Sequence, residues 1–147
     1  MFKNILIPTD GSEFSEKVVK DGVAMAKVMN AKITGVHVFP THHISPYGEF
    51  GPSDDVVQKQ MKNGAQTEGN KYLDHIQAAA KAAGVAFDRV ILENDNAWKG
   101  IIEAANKKGC DLIMMAAHGR RGLSALVLGS ETNKVLTHSK IPVLVYR

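Results

Sequence analysis

The chain of 147 residues contains a single cysteine, Cys110, so no disulfide can form within it and a disulfide-stapled scaffold is excluded. Cys110 precedes an apolar run and reads as a half-buried, inert thiol. No apolar stretch approaches the ~20 residues that a membrane span needs. Residues 1–7 carry one Lys3 and lack the long apolar core and small-residue cleavage site of a secretory leader. A soluble, cytoplasmic protein with no membrane partner is expected. Charge of one sign is also scarce, since 18 basic residues face 15 acidic ones for a net +3. What imbalance exists is local. Residues 116–147 hold Arg120, Arg121, Lys134, Lys140 and Arg147 against Glu131 alone. That field is too weak and too short for a nucleic-acid stripe and suits a small anion better. Repeats, linkers and low-complexity segments are missing too, so residues 1–147 read as one domain. At 44% hydrophobic and 22% charged the chain can build an ordinary core, burying about 68–70% of its unfolded surface.

The pattern that is present alternates strand and helix. Phe2-Lys3-Asn4-Ile5-Leu6-Ile7 reads as a buried strand, stopped by Pro8-Thr9-Asp10-Gly11. Ser12 is a favourable N-cap for a helix over 13–29, with Glu13 and Glu16 in its first turn and Phe14, Val18, Gly22, Met25 and Met29 along its inner face. A β-branched strand over 32–39 closes at Pro40. Residues 40–55, with three prolines and two glycines, form a long irregular connection. A second helix spans roughly 53–83, with Val57, Met61, Ala65, Tyr72, Ile76 and Ala80 inward and Gly64 and Gly69 weakening its middle. A strand at 85–92, a helix at 97–108 and a wholly apolar strand over 112–117 follow, the last suited to burial on both faces. A helix near 130–139 and a strand over 141–146 complete the chain. This alternation implies a doubly wound α/β fold, a parallel sheet with helices on both faces. Pro142 in the last strand cannot donate to a ladder, so that strand is expected at an edge. An apolar edge invites pairing with the same strand of a second copy.

In open parallel sheets ligands bind beyond the carboxyl ends of the strands. Three segments end there, at Pro8-Thr9-Asp10-Gly11, Val38-Phe39-Pro40 and Ala116-Ala117-His118-Gly119. The stretch from Ala116 to Ser130 admits two readings. In one, its glycines bring backbone N–H groups to an anion, and Gly129-Ser130 opens a helix whose N-terminus favours phosphate. In the other, Gly119 and Gly122 only make turns and Ser130 only caps the helix.

This stretch resembles the universal stress proteins, whose nucleotide-binding pattern is G-x2-G-x9-G-[ST]. Gly119, nine residues, then Gly129-Ser130 match its second part, and Ala116 stands in place of its first glycine. The segments Ile5–Ser12, Asp111–Met115, His118–Gly122 and Ile141–Val145 carry the same resemblance across the whole chain. It implies a five-stranded sheet in the order 3-2-1-4-5, of the adenine nucleotide alpha-hydrolase-like type, and a homodimer through residues 141–146. It further implies binding of ATP, or of AMP or ADP, in a stress-response role. On that resemblance Pro8, Thr9 and Asp10 meet the adenosine, Asp10 lies near the ribose, and Val38 and Met115 flank the adenine. Ala116, Gly119, Gly129 and Ser130 surround the phosphates, with Glu131 and Thr132 contributing from the helix start. Mg or Mn is held through the phosphates, since no Gly-Lys-Ser/Thr motif is present. If residue 116 needs a positive φ, alanine there costs about 1–2 kcal/mol; otherwise it adds only a methyl group. Glu131 opposes phosphate only if its carboxylate turns inward.

Other motifs carry less. Asp10, His118 and Ser130 do not form a hydrolytic set around a G-x-S-x-G elbow. His118 reads as a loop residue that bonds to backbone or phosphate. His42-His43 lacks partners at ligand spacing. Arg120 and Arg121 are equally placed to reach phosphate or solvent. Met25, Met29 and Met61 fall at helical spacing and read as core. Without a positioned base, turnover is expected to be slow or absent. The alternatives are a nucleotide-free interaction dimer and a slow ATP hydrolase.

Overall fold

The computed structural model describes residues 1–41, 54–119 and 128–147. The His42-His43 pair and the Arg120–Val127 segment lie outside the described residues. The elements run β1 (Asn4–Pro8), α1 (Glu13–Met29), β2 (Lys32–Phe39), α2 (Asp54–Ala83), β3 (Phe87–Glu93), α3 (Ala97–Lys107), β4 (Leu112–Ala116), α4 (Ser130–His138) and β5 (Val143–Tyr146). All strand pairs are parallel, in the order β3-β2-β1-β4-β5. No described helix is long and apolar enough to cross a membrane.

The two-residue period of the strands sorts the core into two layers. Ile5, Ile7, Ile33, Leu112 and Met114 pack with Val18, Val19 and Val23 of α1 and Leu73, Ile76 and Ala80 of α2. Leu6, Val36, Ile113 and Met115 pack with Ile101, Ala104 and Ala105 of α3 and Val135 of α4. β4 is thus covered on both faces, as its unbroken apolar run requires.

Several local details depart from the sequence expectations. Phe14 is 54% exposed and Met61 39% exposed. Phe14 lies in the first turn of α1, above the rim of the sheet, and the N-terminal half of α2 is mostly exposed. Helical spacing alone cannot tell where a helix outruns the sheet it covers. α2 is one continuous helix despite its glycines. β3 starts at Phe87 rather than 85, because Val85 is still closing α2, its N–H donating to the Ala80 carbonyl at 2.8 Å. Pro142 stands just before β5, and its carbonyl accepts from the Ile113 N–H at 2.9 Å. β5 remains the sheet edge.

The N-terminal ends of the strands are tied by a polar knot. The Asp111 carboxylate accepts the Lys3 and Asn4 N–H groups at 2.7 and 3.0 Å. The buried Asn4 carboxamide donates to the Lys108 carbonyl and accepts the fully buried Thr34 hydroxyl, both at 2.9 Å. Cys110 is buried here, and burial pushes its thiol pKa up.

Candidate functional site

Strand order reverses between β1 and β4, since β1 leads by crossover to β2 on one side and borders β4 on the other. The register pairs between them are Ile5–Leu112 and Leu6–Ile113, and they stop short of Pro8 and Ala116. The carboxyl ends of the two strands therefore part, which is where a ligand crevice forms in this class of sheet.

Thr9, Asp10 and Gly11 build one wall. Leaving β1, the Thr9 N–H still bonds to the Val36 carbonyl at 2.9 Å. Gly11 then takes a positive φ of 74°, a conformation that disfavours any side chain. Asp10 Oδ1 accepts the Ser12 N–H at 3.0 Å and the Ser15 hydroxyl at 3.1 Å. Ser12 is the N-cap by backbone, yet its side chain makes no capping bond. Asp10 instead ties the turn to the start of α1, where its negative charge suits the helix N-terminus.

Residues 117–119 and 128–130 line the other side. A Cβ at Gly119 would lie 2.5 Å from Asp10 Oδ2, and one at Gly129 would lie 2.9 Å from the Ala117 carbonyl oxygen. Gly129 has an ordinary φ of −57°, and Gly119 is not among the positive-φ glycines. Close approach to backbone, and not backbone conformation, calls for glycine at 129, while a side chain at 119 would displace the Asp10 carboxylate. Gly129, rather than Ser130, is the N-cap of α4, its N–H donating to Ala117 at 2.8 Å and its carbonyl accepting from Asn133 at 2.9 Å. Ser130 is the first helical residue and is exposed. The N–H groups of Ser130, Glu131 and Thr132 fall in the first turn, where no intrahelical acceptor exists.

Ala116 does not have a positive φ, a conformation found among the described non-glycine residues only at Asn30. Alanine there is unstrained. Its methyl packs with the α1/α2 layer, whereas Met115 and Val38 pack with the α3/α4 layer. Pro8 shares the latter side by the two-residue period from Leu6. The structure thus brings Pro8, Val38 and Met115 to one side of the sheet at its carboxyl rim and turns the Ala116 side chain to the other.

Two residues at the helix start are engaged elsewhere. The buried Thr132 hydroxyl donates to the Ala116 carbonyl at 3.0 Å. The Glu131 carboxylate accepts the Trp98 N–H at 2.9 Å and pairs with Lys134 at 3.0 Å. Glu131 therefore pairs with Lys134 and, through the Trp98 N–H, caps α3. Sequence reasoning missed this, because the two residues are 33 positions apart and share no local motif. His118 lies at the rim, its ring 6.2 Å from that of Phe14. Among the described residues no group of three His, Cys, Asp or Glu side chains stands close enough to hold a metal ion.

With this geometry in hand, comparison with known proteins gives a consistent result. The model of the universal stress protein family matches residues 1–147. Universal stress protein MJ0531 of Methanocaldococcus jannaschii is 31% identical over 150 residues, covering 100% of this chain and 83% of that one. Universal stress protein YxiE of Bacillus subtilis is 29% identical, with 100% of both chains covered. The solved structure of MJ0577, whose biochemical function was assigned from that structure, superposes with a TM-score of 0.84 at 28% identity over 99% of this chain and 95% of that one. A universal stress protein in complex with cAMP gives a TM-score of 0.70 at 24% identity, covering 99% of this chain and 97% of that one. A family member from Arabidopsis thaliana with AMP bound gives 0.67 at 15% identity, with 97% and 90% covered. At those identities the last two show the fold alone.

Proposed function

The chain belongs to the universal stress protein family, and from that premise we propose that it binds an adenine nucleotide at the carboxyl rim of its sheet. The observation that carries the proposal is the convergence of Asp10 and Gly119 at the split between β1 and β4, where a Cβ at residue 119 would lie 2.5 Å from the Asp10 carboxylate and displace it. Pro8, Val38 and Met115 offer an apolar side for the base. Asp10 stands beside them for the ribose. Backbone N–H groups at 130–132 and the Ser130 hydroxyl face the phosphate end, helped by the dipole of α4. The Glu131 carboxylate is engaged by the Trp98 N–H and by Lys134, which offsets its charge at this end. The complexes of two fold relatives with cAMP and AMP favour an adenine ligand. ATP, ADP and AMP all fit this chemistry, with Mg or Mn reaching the site through the phosphates.

We further propose that the protein acts in the cytoplasm as a stress-response homodimer whose partner affinity follows nucleotide occupancy. β5 supports the dimer. It is an edge strand with Leu144 36% exposed, and an apolar edge left bare is an aggregation hazard. Sedimentation of the intact protein and of Leu144→Asp tests the pairing. A dimer that dissociates in the variant is expected, and a monomer in both contradicts it.

The nucleotide proposal is tested by thermal unfolding with and without Mg-ATP and AMP. A ligand at about 100 times its Kd adds about 2.7 kcal/mol of stability. An upward shift of the midpoint is expected, and no shift at millimolar nucleotide overturns the proposal.

A further inference from the structure

The Thr9–Gly11 turn is held from behind by side chains that lie outside the candidate site. His37, on the α2-facing side of β2, donates from Nδ1 to the Thr9 carbonyl at 2.9 Å. A carbonyl only accepts, so Nδ1 carries the proton in this contact. The His37 ring meets Tyr72 of α2 edge-on, with centroids 5.3 Å apart and planes at 74°. Tyr72 in turn fills the space that a Cβ at Gly11 would need. Its phenol donates to the Glu68 carboxylate one turn earlier on the same helix.

α2 is shaped to admit this arrangement. Gly69 is a buried position in a helix whose neighbouring residues 68 and 70 are exposed, and a Cβ there would come within 2.6 Å of His37 Cδ2. A mid-helix glycine disfavours the helix, yet α2 runs unbroken through it. The missing side chain is what lets the His37 ring enter between β2 and α2.

We propose that His37 and Tyr72 are positioning residues for the nucleotide rim. His37 fixes the carbonyl of Thr9, and Tyr72 closes the space behind Gly11. Together they set the turn that presents Asp10 opposite Gly119. Neither residue touches the nucleotide in this account, which rests on the reading of the rim given above.

The test separates turn from ligand. Amide hydrogen exchange is followed by NMR at Gly11 and Ser12, whose N–H groups bond to Thr9 Oγ1 at 3.2 Å and Asp10 Oδ1 at 3.0 Å. The Val85 amide, bonded to Ala80, reports global stability. His37→Leu removes the donor, and His37→Asn restores a carboxamide N–H near the place of Nδ1–H. The leucine variant is expected to speed exchange at Gly11 and Ser12 by about tenfold relative to Val85, as for one lost hydrogen bond. It is also expected to weaken AMP binding by about tenfold. Tyr72→Leu is expected to act in the same direction, and the asparagine variant to recover both readouts. Unchanged exchange in His37→Leu overturns the positioning role, whether or not AMP binds. Faster exchange with unchanged AMP affinity overturns it as well. If the unmutated protein binds no AMP or ATP, the nucleotide reading falls, while the exchange result still decides whether His37 holds the turn.

Discussion

The Thr132 hydroxyl donates to the Ala116 carbonyl at 3.0 Å, tying the first turn of α4 to the last residue of β4. The tie draws on the backbone of residue 116 and leaves its side chain aside. The methyl group packs into the α1/α2 layer. Ala116→Gly is therefore expected to leave AMP affinity within about twofold while lowering stability by about 0.5–1 kcal/mol, the usual cost of glycine inside a strand. Calorimetric titration and urea unfolding check the two halves. A large gain in affinity would mean that the methyl does obstruct the site.

Glu131 caps α3 through the Trp98 N–H. Glu131→Ala is expected to lower stability by about 0.5–2 kcal/mol, the range for a lost N-terminal cap. Glu131→Gln keeps an acceptor oxygen and is expected to lose less. Urea midpoints of the two variants decide this, and equal midpoints would deny the cap.

Asn4 answers three groups at the other end of the sheet, the Lys108 carbonyl, the Thr34 hydroxyl and the Asp111 carboxylate. Asn4→Leu removes the acceptor of the fully buried Thr34 hydroxyl and the donor to the part-buried Lys108 carbonyl. A loss of about 1–3 kcal/mol is expected, the cost of leaving a buried polar group unpaired. The double variant Asn4→Leu, Thr34→Val is expected to recover part of it.

Burial holds the Cys110 thiol above its ordinary pKa, so little thiolate forms near neutral pH. Reaction with a disulfide reagent at pH 8 is expected to be at least about tenfold slower in the native protein than in urea. Equal rates would place the thiol at the surface.

Much of the fold was legible because hydrophobic period and turn chemistry are local. Gly11, Asn30, Gly84 and Gly109 punctuate elements as their backbone freedom suggests, all four in positive-φ positions. The edge position of β5 was legible from Pro142 even though the proline itself stands one residue outside the strand. The roles of Phe14 and Met61 were not legible, because helix periodicity describes a face but not where the sheet beneath it ends. Gly69 read as a weak point and is instead a socket for His37. Glycines 119 and 129 stood out by spacing, but the reason for them is proximity to Asp10 and Ala117. That proximity follows from strand order and from the parting of β1 and β4. The Glu131–Trp98 cap and the His37–Thr9 bond join elements far apart in the chain, and single-sequence patterns do not reach that far.

The most direct measurement is an NMR titration of the intact protein with AMP, following backbone amides. Saturable shifts are expected at Thr9 to Ser12, at Gly119 and at Gly129 to Thr132. Shifts confined to the groove of about 570 Å³ between α1 and α2, which shares Thr9, Gly11 and Ser12 with the rim but extends to Lys20, Lys71 and His75, with none at Gly119 or at Gly129 to Thr132, would contradict the account, as would no shifts at millimolar AMP.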